Sequence, residues 1–194
     1  LLTRVGRIDE ARIAAESEQQ LAEQLAQRDL LAMASHDRGL VALAAGEYVL
    51  AAALLADALV EGAPISRPLT RLRLAEALAR ADELDAADEQ LRATVLEPVR
   101  PSDFPETLVP RLALVQGLLA SARHDSAEAE QRLRESIAGW ERLLHRARRA
   151  ESMTTVLADL GRPVVGLVVP ELERARVDAE LQALVKGSLR AVVP

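Results

Sequence analysis

The stretch Gly46-Glu47-Tyr48-Val49-Leu50-Ala51 decides the fold, because its pattern occurs four times along the chain. A turn residue begins each copy, and an Ala follows five positions later. The other copies begin at Gly6, Asp82 and His124, so that successive copies are 40, 36 and 42 residues apart. Each copy lies between two segments of helical periodicity, and a repeat of this length is typical of stacked helical hairpins. The sequence therefore predicts an all-α protein.

The composition is consistent with such an array. Of the 194 residues, 49% are hydrophobic but only 2% are aromatic, so Ala and Leu must supply most of the core. Small and straight-chain side chains favour helix and allow two helices to approach closely. All basic residues except Lys186 are Arg and there is no Asn. Together with the abundant Ala, this preference for Arg over Lys suggests codons from a GC-rich bacterial genome.

Charge and cysteine content exclude several classes of function. The net charge is −6 with both signs interspersed, which argues against a nucleic-acid or membrane footprint. The chain has no Cys, which excludes disulfides, a thiolate nucleophile and Cys-based metal sites. Its apolar runs are shorter than a membrane span. We therefore expect a cytoplasmic protein that has no contact with membranes.

The helical patterns predict hairpins followed by C-terminal helices. The predicted helices are 8–27, 29–45, 47–60, 67–81, 84–96, 106–123, 126–149, 150–160 and 170–186. Residues 1–149 would form the hairpins, and residues 150–194 the capping helices and tail. The chain opens at Leu1, and the first helix of the first hairpin is cut to Leu1–Val5. We expect a fragment of a longer protein, and a short native start from which Met was removed is the alternative.

Small and large residues alternate around the repeated turns at constant spacing. A small residue lies seven positions before each of the last three turns, at Gly39, Ala75 and Gly117. A Leu lies nine positions after each of them, at Leu55, Leu91 and Leu133. This spacing resembles the tetratricopeptide repeat, which has a small residue in its first helix and Ala in its second. The resemblance covers residues 1–149, and 46–51 is the best copy. The spacing exceeds the 34 residues of that family, and its first-helix aromatic positions are not aromatic here.

The resemblance implies both an architecture and a function. It implies a right-handed solenoid of antiparallel hairpins, capped by C-terminal helices, with a concave groove lined by the first helix of each hairpin. Divergent arrays of this kind are similar to the C-terminal regions of large bacterial transcriptional regulators. We therefore expect a protein-interaction or scaffold module, the sensing or assembly region of such a regulator, rather than an enzyme. Its partner would be a protein or peptide, and a homo-oligomer is left open.

Carried over by position, the resemblance also predicts the groove residues. They are His36, Leu40, Leu43, Leu72, Arg73, Glu76, Arg80, Arg111, Leu114 and Leu118. The three Arg side chains would hold an acidic peptide or a carboxylate, because a guanidinium fork matches carboxylate geometry. The alternative is that these Arg side chains pair with Glu76 and neighbouring acids on a solvated surface.

Other chemistry receives little support from the sequence. The residues His36, His124 and His145 are scattered without a second ligand at metal spacing, so we expect no metal site. There is no nucleophile–base motif and no Gly-rich phosphate loop, and we expect no catalytic residues and no cofactor. A small-molecule effector pocket between the array and the C-terminal helices, near Trp140, is the second hypothesis. A helical enzyme with buried acids around a cavity is the third.

Overall fold

The computed structural model describes residues 7–61, 67–96 and 107–153, which form seven α-helices. The helices are α1 (Ile8–Leu25), α2 (Arg28–Ala45), α3 (Tyr48–Glu61), α4 (Arg67–Arg80), α5 (Leu84–Leu96), α6 (Leu108–Ala122) and α7 (Ser126–Met153). These described ranges contain no strand, so the all-α prediction is confirmed. Every helix end lies within two residues of its predicted position except the end of α7.

The helix α7 continues through the point where the sequence predicted a break. A helix ending at Arg149 and a new one beginning at Ala150 were expected, but α7 runs without interruption to Met153. The reason is local, because residues 146–153 contain neither Gly nor Pro and consist mainly of good helix formers. The predicted domain boundary between 149 and 150 therefore falls inside a helix. The predicted capping helices beyond Met153 and the helix remnant 1–5 lie outside the described residues.

The chain divides into two compact units, residues 1–104 and 105–194. In the first unit, α1 packs on α2, α2 on α3, α3 on α4, and α4 on α5. Its core includes Leu43, Ala51 and Leu55. In the second unit, α6 packs along α7 around Leu114 and Trp140. Each unit is thus built from helices that are neighbours in sequence and pack against each other.

The repeated turns have the same backbone geometry. The residues Gly46, Asp82 and His124 all adopt the left-handed conformation, with φ of 81°, 66° and 62°. In each turn the next residue donates its backbone N–H to the carbonyl oxygen five positions earlier at 2.9 Å. This hydrogen bond is the Schellman closure that satisfies orphan carbonyls at a helix end. The turn signal predicted from the sequence is therefore confirmed at all three positions.

The spacing of small and large residues brings the two helices of a hairpin close together. A methyl group added at Gly39 would lie 2.7 Å from Leu55 Cγ, and one added at Gly117 would lie 2.8 Å from Leu133 Cγ. Real side chains do not approach so closely, so a hydrogen atom is the only substituent that fits without movement. The hairpin between these two has Ala75 at the equivalent position, where it is fully buried. The predicted close approach is confirmed in the two hairpins that contain Gly39 and Gly117.

Candidate functional site

The predicted groove residues fall into two sets that belong to different units. The seven from His36 to Arg80 lie on α2 and α4 of the first unit. The other three, from Arg111 to Leu118, lie on α6 of the second unit. Six of the ten are buried, namely Leu43, Leu72, Arg73, Glu76, Arg111 and Leu114. The four that keep part of their surface are His36, Leu40, Arg80 and Leu118.

The charged groove residues of α4 form a cluster around one buried carboxylate. The side chain of Glu76 is 0% exposed and accepts a hydrogen bond from Arg73 Nη1 at 3.3 Å. The Nε atom of Arg80 lies 3.5 Å from the other carboxylate oxygen. The three residues are three and four positions apart, which places them on one face of the helix. Two of the three Arg side chains, Arg73 and Arg80, thus pair with Glu76, and the carboxylate that they share is buried rather than solvated.

Two further contacts join α4 to the preceding hairpin. The guanidinium carbon of Arg80 lies 5.9 Å from the centre of the Tyr48 ring on α3, within the range of a cation–π interaction. The hydroxyl of Thr70 on α4 lies 3.1 Å from His36 Nδ1 on α2. The Arg80 side chain is 19% exposed, so part of it reaches solvent while Glu76 and Tyr48 hold it in place. It is the one groove Arg in the described residues that keeps part of its surface.

The predicted effector region near Trp140 contains polar atoms within an apolar core. The Trp140 side chain is buried against Leu114 and Leu133. The guanidinium carbon of Arg111 lies 5.6 Å from its ring centre. Within residues 107–153, Trp140 Nε1 and Ser136 Oγ are buried and make no hydrogen bond. Because a buried polar atom without a hydrogen bond costs about 1–3 kcal/mol, this pair calls for an explanation.

The sequence reasoning missed a surface on the outside of α3. The side chains of Val49, Ala53, Ala56 and Val60 are all exposed, and we call these four residues the α3 stripe. Val49 and Val60 are 75% and 77% exposed. The spacing of four, three and four residues aligns them along one face of the helix over about 16 Å. The result is a continuous apolar surface three turns long.

The other second helices do not carry this surface. Shifted by the 36-residue repeat, the first three positions of the α3 stripe fall on Asp85, Glu89 and Arg92 of α5, all exposed. The matching positions of α7 are Ala127, Gln131 and Arg134, and those of α1 are Asp9, Ile13 and Glu16. The spacing of the α3 stripe was visible in the sequence. It was missed because both faces of an apolar helix are ordinarily expected to be buried.

Two features at the α1–α2 edge are electrostatic. Burial, together with the neighbouring carboxylate of Asp37 on α2, raises the pKa of Glu18 on α1 above its ordinary value. The guanidinium of Arg12 donates to both carboxylate oxygens of Glu47, at 3.0 and 3.3 Å. Since Glu47 lies between α2 and α3, this ion pair ties α1 to the turn of the next hairpin.

The described residues contain no group of three or more His, Asp or Glu side chains arranged to hold a metal ion. Among the helices of these same ranges, none is both long and apolar enough to cross a membrane. No protein-family model, curated protein or solved structure matches this chain.

Proposed function

We propose that the chain is a protein-interaction or scaffold module built from tetratricopeptide-like hairpins, without catalytic activity of its own. The observation that supports this proposal is the α3 stripe, an apolar surface on a helix whose opposite face is already buried in the core. Exposed apolar patches rimmed by polar residues commonly mark sites of protein association. Burying one Val side chain stabilises a complex by about 1.5–3 kcal/mol before the costs of association.

The predicted groove contributes to this proposal through its accessible residues. The side chains of His36, Leu40 and Arg80 lie on first helices of the first unit and keep part of their surface. The oriented guanidinium of Arg80 is suited to bind a carboxylate of a partner peptide. The side chain of Leu40 would supply an apolar contact. This surface is proposed as a recognition site for an acidic segment, separate from the α3 stripe.

The biological setting is proposed by analogy with similar arrays. We place the module in the sensing or assembly region of a cytoplasmic bacterial transcriptional regulator. A partner bound to the module would then control how copies of the regulator assemble. The fold alone does not specify this role, since helical hairpins serve many functions.

Site-directed photo-crosslinking in bacterial cells tests the interaction proposal. A photoreactive residue replaces Ala53 in the α3 stripe or Glu89 at the equivalent position of α5. Position 53 is expected to yield a crosslinked protein product, and position 89 is expected to yield much less. Equal products at both positions, or none at either, would contradict the proposal.

A small-molecule effector site near Trp140 is the second candidate. It is favoured by the two buried polar atoms, Trp140 Nε1 and Ser136 Oγ, because a polar ligand could accept one hydrogen bond and donate the other. A thermal-shift screen of metabolites tests this candidate, with Trp fluorescence as the second measurement. The substitution Ser136→Ala should weaken any hit, and the exposed Ser17→Ala should not. A screen without hits would remove this candidate.

A further inference from the structure

We draw no further inference here: the strongest candidate, the exposed apolar face that Val49, Ala53, Ala56 and Val60 form on α3, is the surface already proposed for interaction, and nothing in the structure shows what covers it.

Discussion

The hairpin of α2 and α3 and the hairpin of α4 and α5 have the same turn but opposite distributions of charge. The first helix of the α4–α5 hairpin carries the buried cluster Arg73, Glu76 and Arg80. On α2 the equivalents of the last two are the apolar Leu40 and Ala44. On the second helices the order is reversed, with an apolar outer face on α3 and a charged one on α5. The difference shows that the repeated positions determine the backbone, while the positions between them are free to specify surfaces.

The largest difference between the two hairpins is the buried carboxylate of α4. The substitution Glu76→Gln should show how much this charge contributes to stability. Replacing the carboxylate by a neutral amide removes the negative charge that Arg73 and Arg80 share in a largely buried place, which should lower the free energy of unfolding by about 3–5 kcal/mol. Urea unfolding followed by circular dichroism measures the loss. The pair of Asp88 and Arg92 on α5, in which Arg92 is 74% exposed, is the control, and Asp88→Asn should cost at most about 0.5 kcal/mol. Equal effects would mean that the α4 cluster has no special role.

The close contacts between the two helices of a hairpin should differ in how well they tolerate a change of one methyl group. In Gly39→Ala the new methyl group meets Leu55, and overpacking of about 1–3 kcal/mol should outweigh the gain of about 1 kcal/mol in helix propensity. The reverse change at the equivalent position, Ala75→Gly, should cost about 1 kcal/mol through helix propensity and about 0.8 kcal/mol more through loss of a buried methyl group. Thermal unfolding of both variants checks the pair. If Gly39→Ala stabilised the chain, the helices at Gly39 would have room for a methyl group, as the helices at Ala75 do.

Equivalent Glu residues precede α3 and α5, and they differ in their surroundings. Glu47 pairs with Arg12, and both side chains are about 40% exposed, whereas the side chain of Glu83 is exposed to solvent. Breaking the pair by Glu47→Ala should lower the free energy of unfolding only slightly, because solvent screens a half-exposed ion pair. High salt should reduce the loss further. The matched change Glu83→Ala should have a smaller effect that does not depend on salt. Denaturant unfolding at low and high ionic strength distinguishes the two.

The smallest effect is expected at the position twelve residues after each turn. This position holds Glu18 in α1 and the buried Ala58 in α3. Because the pKa of Glu18 is raised, its protonated form is favoured by folding, so its contribution to stability is lost as the pH rises through that pKa. The change Glu18→Gln should therefore stabilise the chain by about 0.5 kcal/mol at neutral pH, an advantage that disappears below about pH 4. Thermal melts across this range test it, with Glu16→Gln as the exposed control.

The sequence predicted what depends on local chemistry. The turns at Gly46, Asp82 and His124 and most helix ends follow from capping geometry and propensity, which act over a few residues. The close contact of Gly39 with Leu55 follows from a spacing that recurs around each of these turns. For these features the repeated pattern was sufficient to predict the structure.

The exposure of individual side chains could not be predicted in the same way. The burial of Glu76 depends on every helix that surrounds α4, and the sequence alone suggested a solvated surface for its Arg partners. The exposed face of α3 was hidden by its apolar composition, since a helix with apolar residues on all sides is usually buried on all sides. The predicted break after Arg149 had no Gly or Pro to support it, and α7 continues to Met153.

The three repeated turns, at Gly46, Asp82 and His124, have a consequence for how this chain tolerates sequence change. Each turn delivers the following helix with the same backbone geometry, whether Gly, Asp or His occupies the left-handed position. The residue at the left-handed position can therefore be exchanged while the second helix of the hairpin keeps its starting geometry. Sequence change at these turns is thus compatible with a conserved hairpin, so chemistry at the tip of each hairpin can diverge while the helix pair below it is kept.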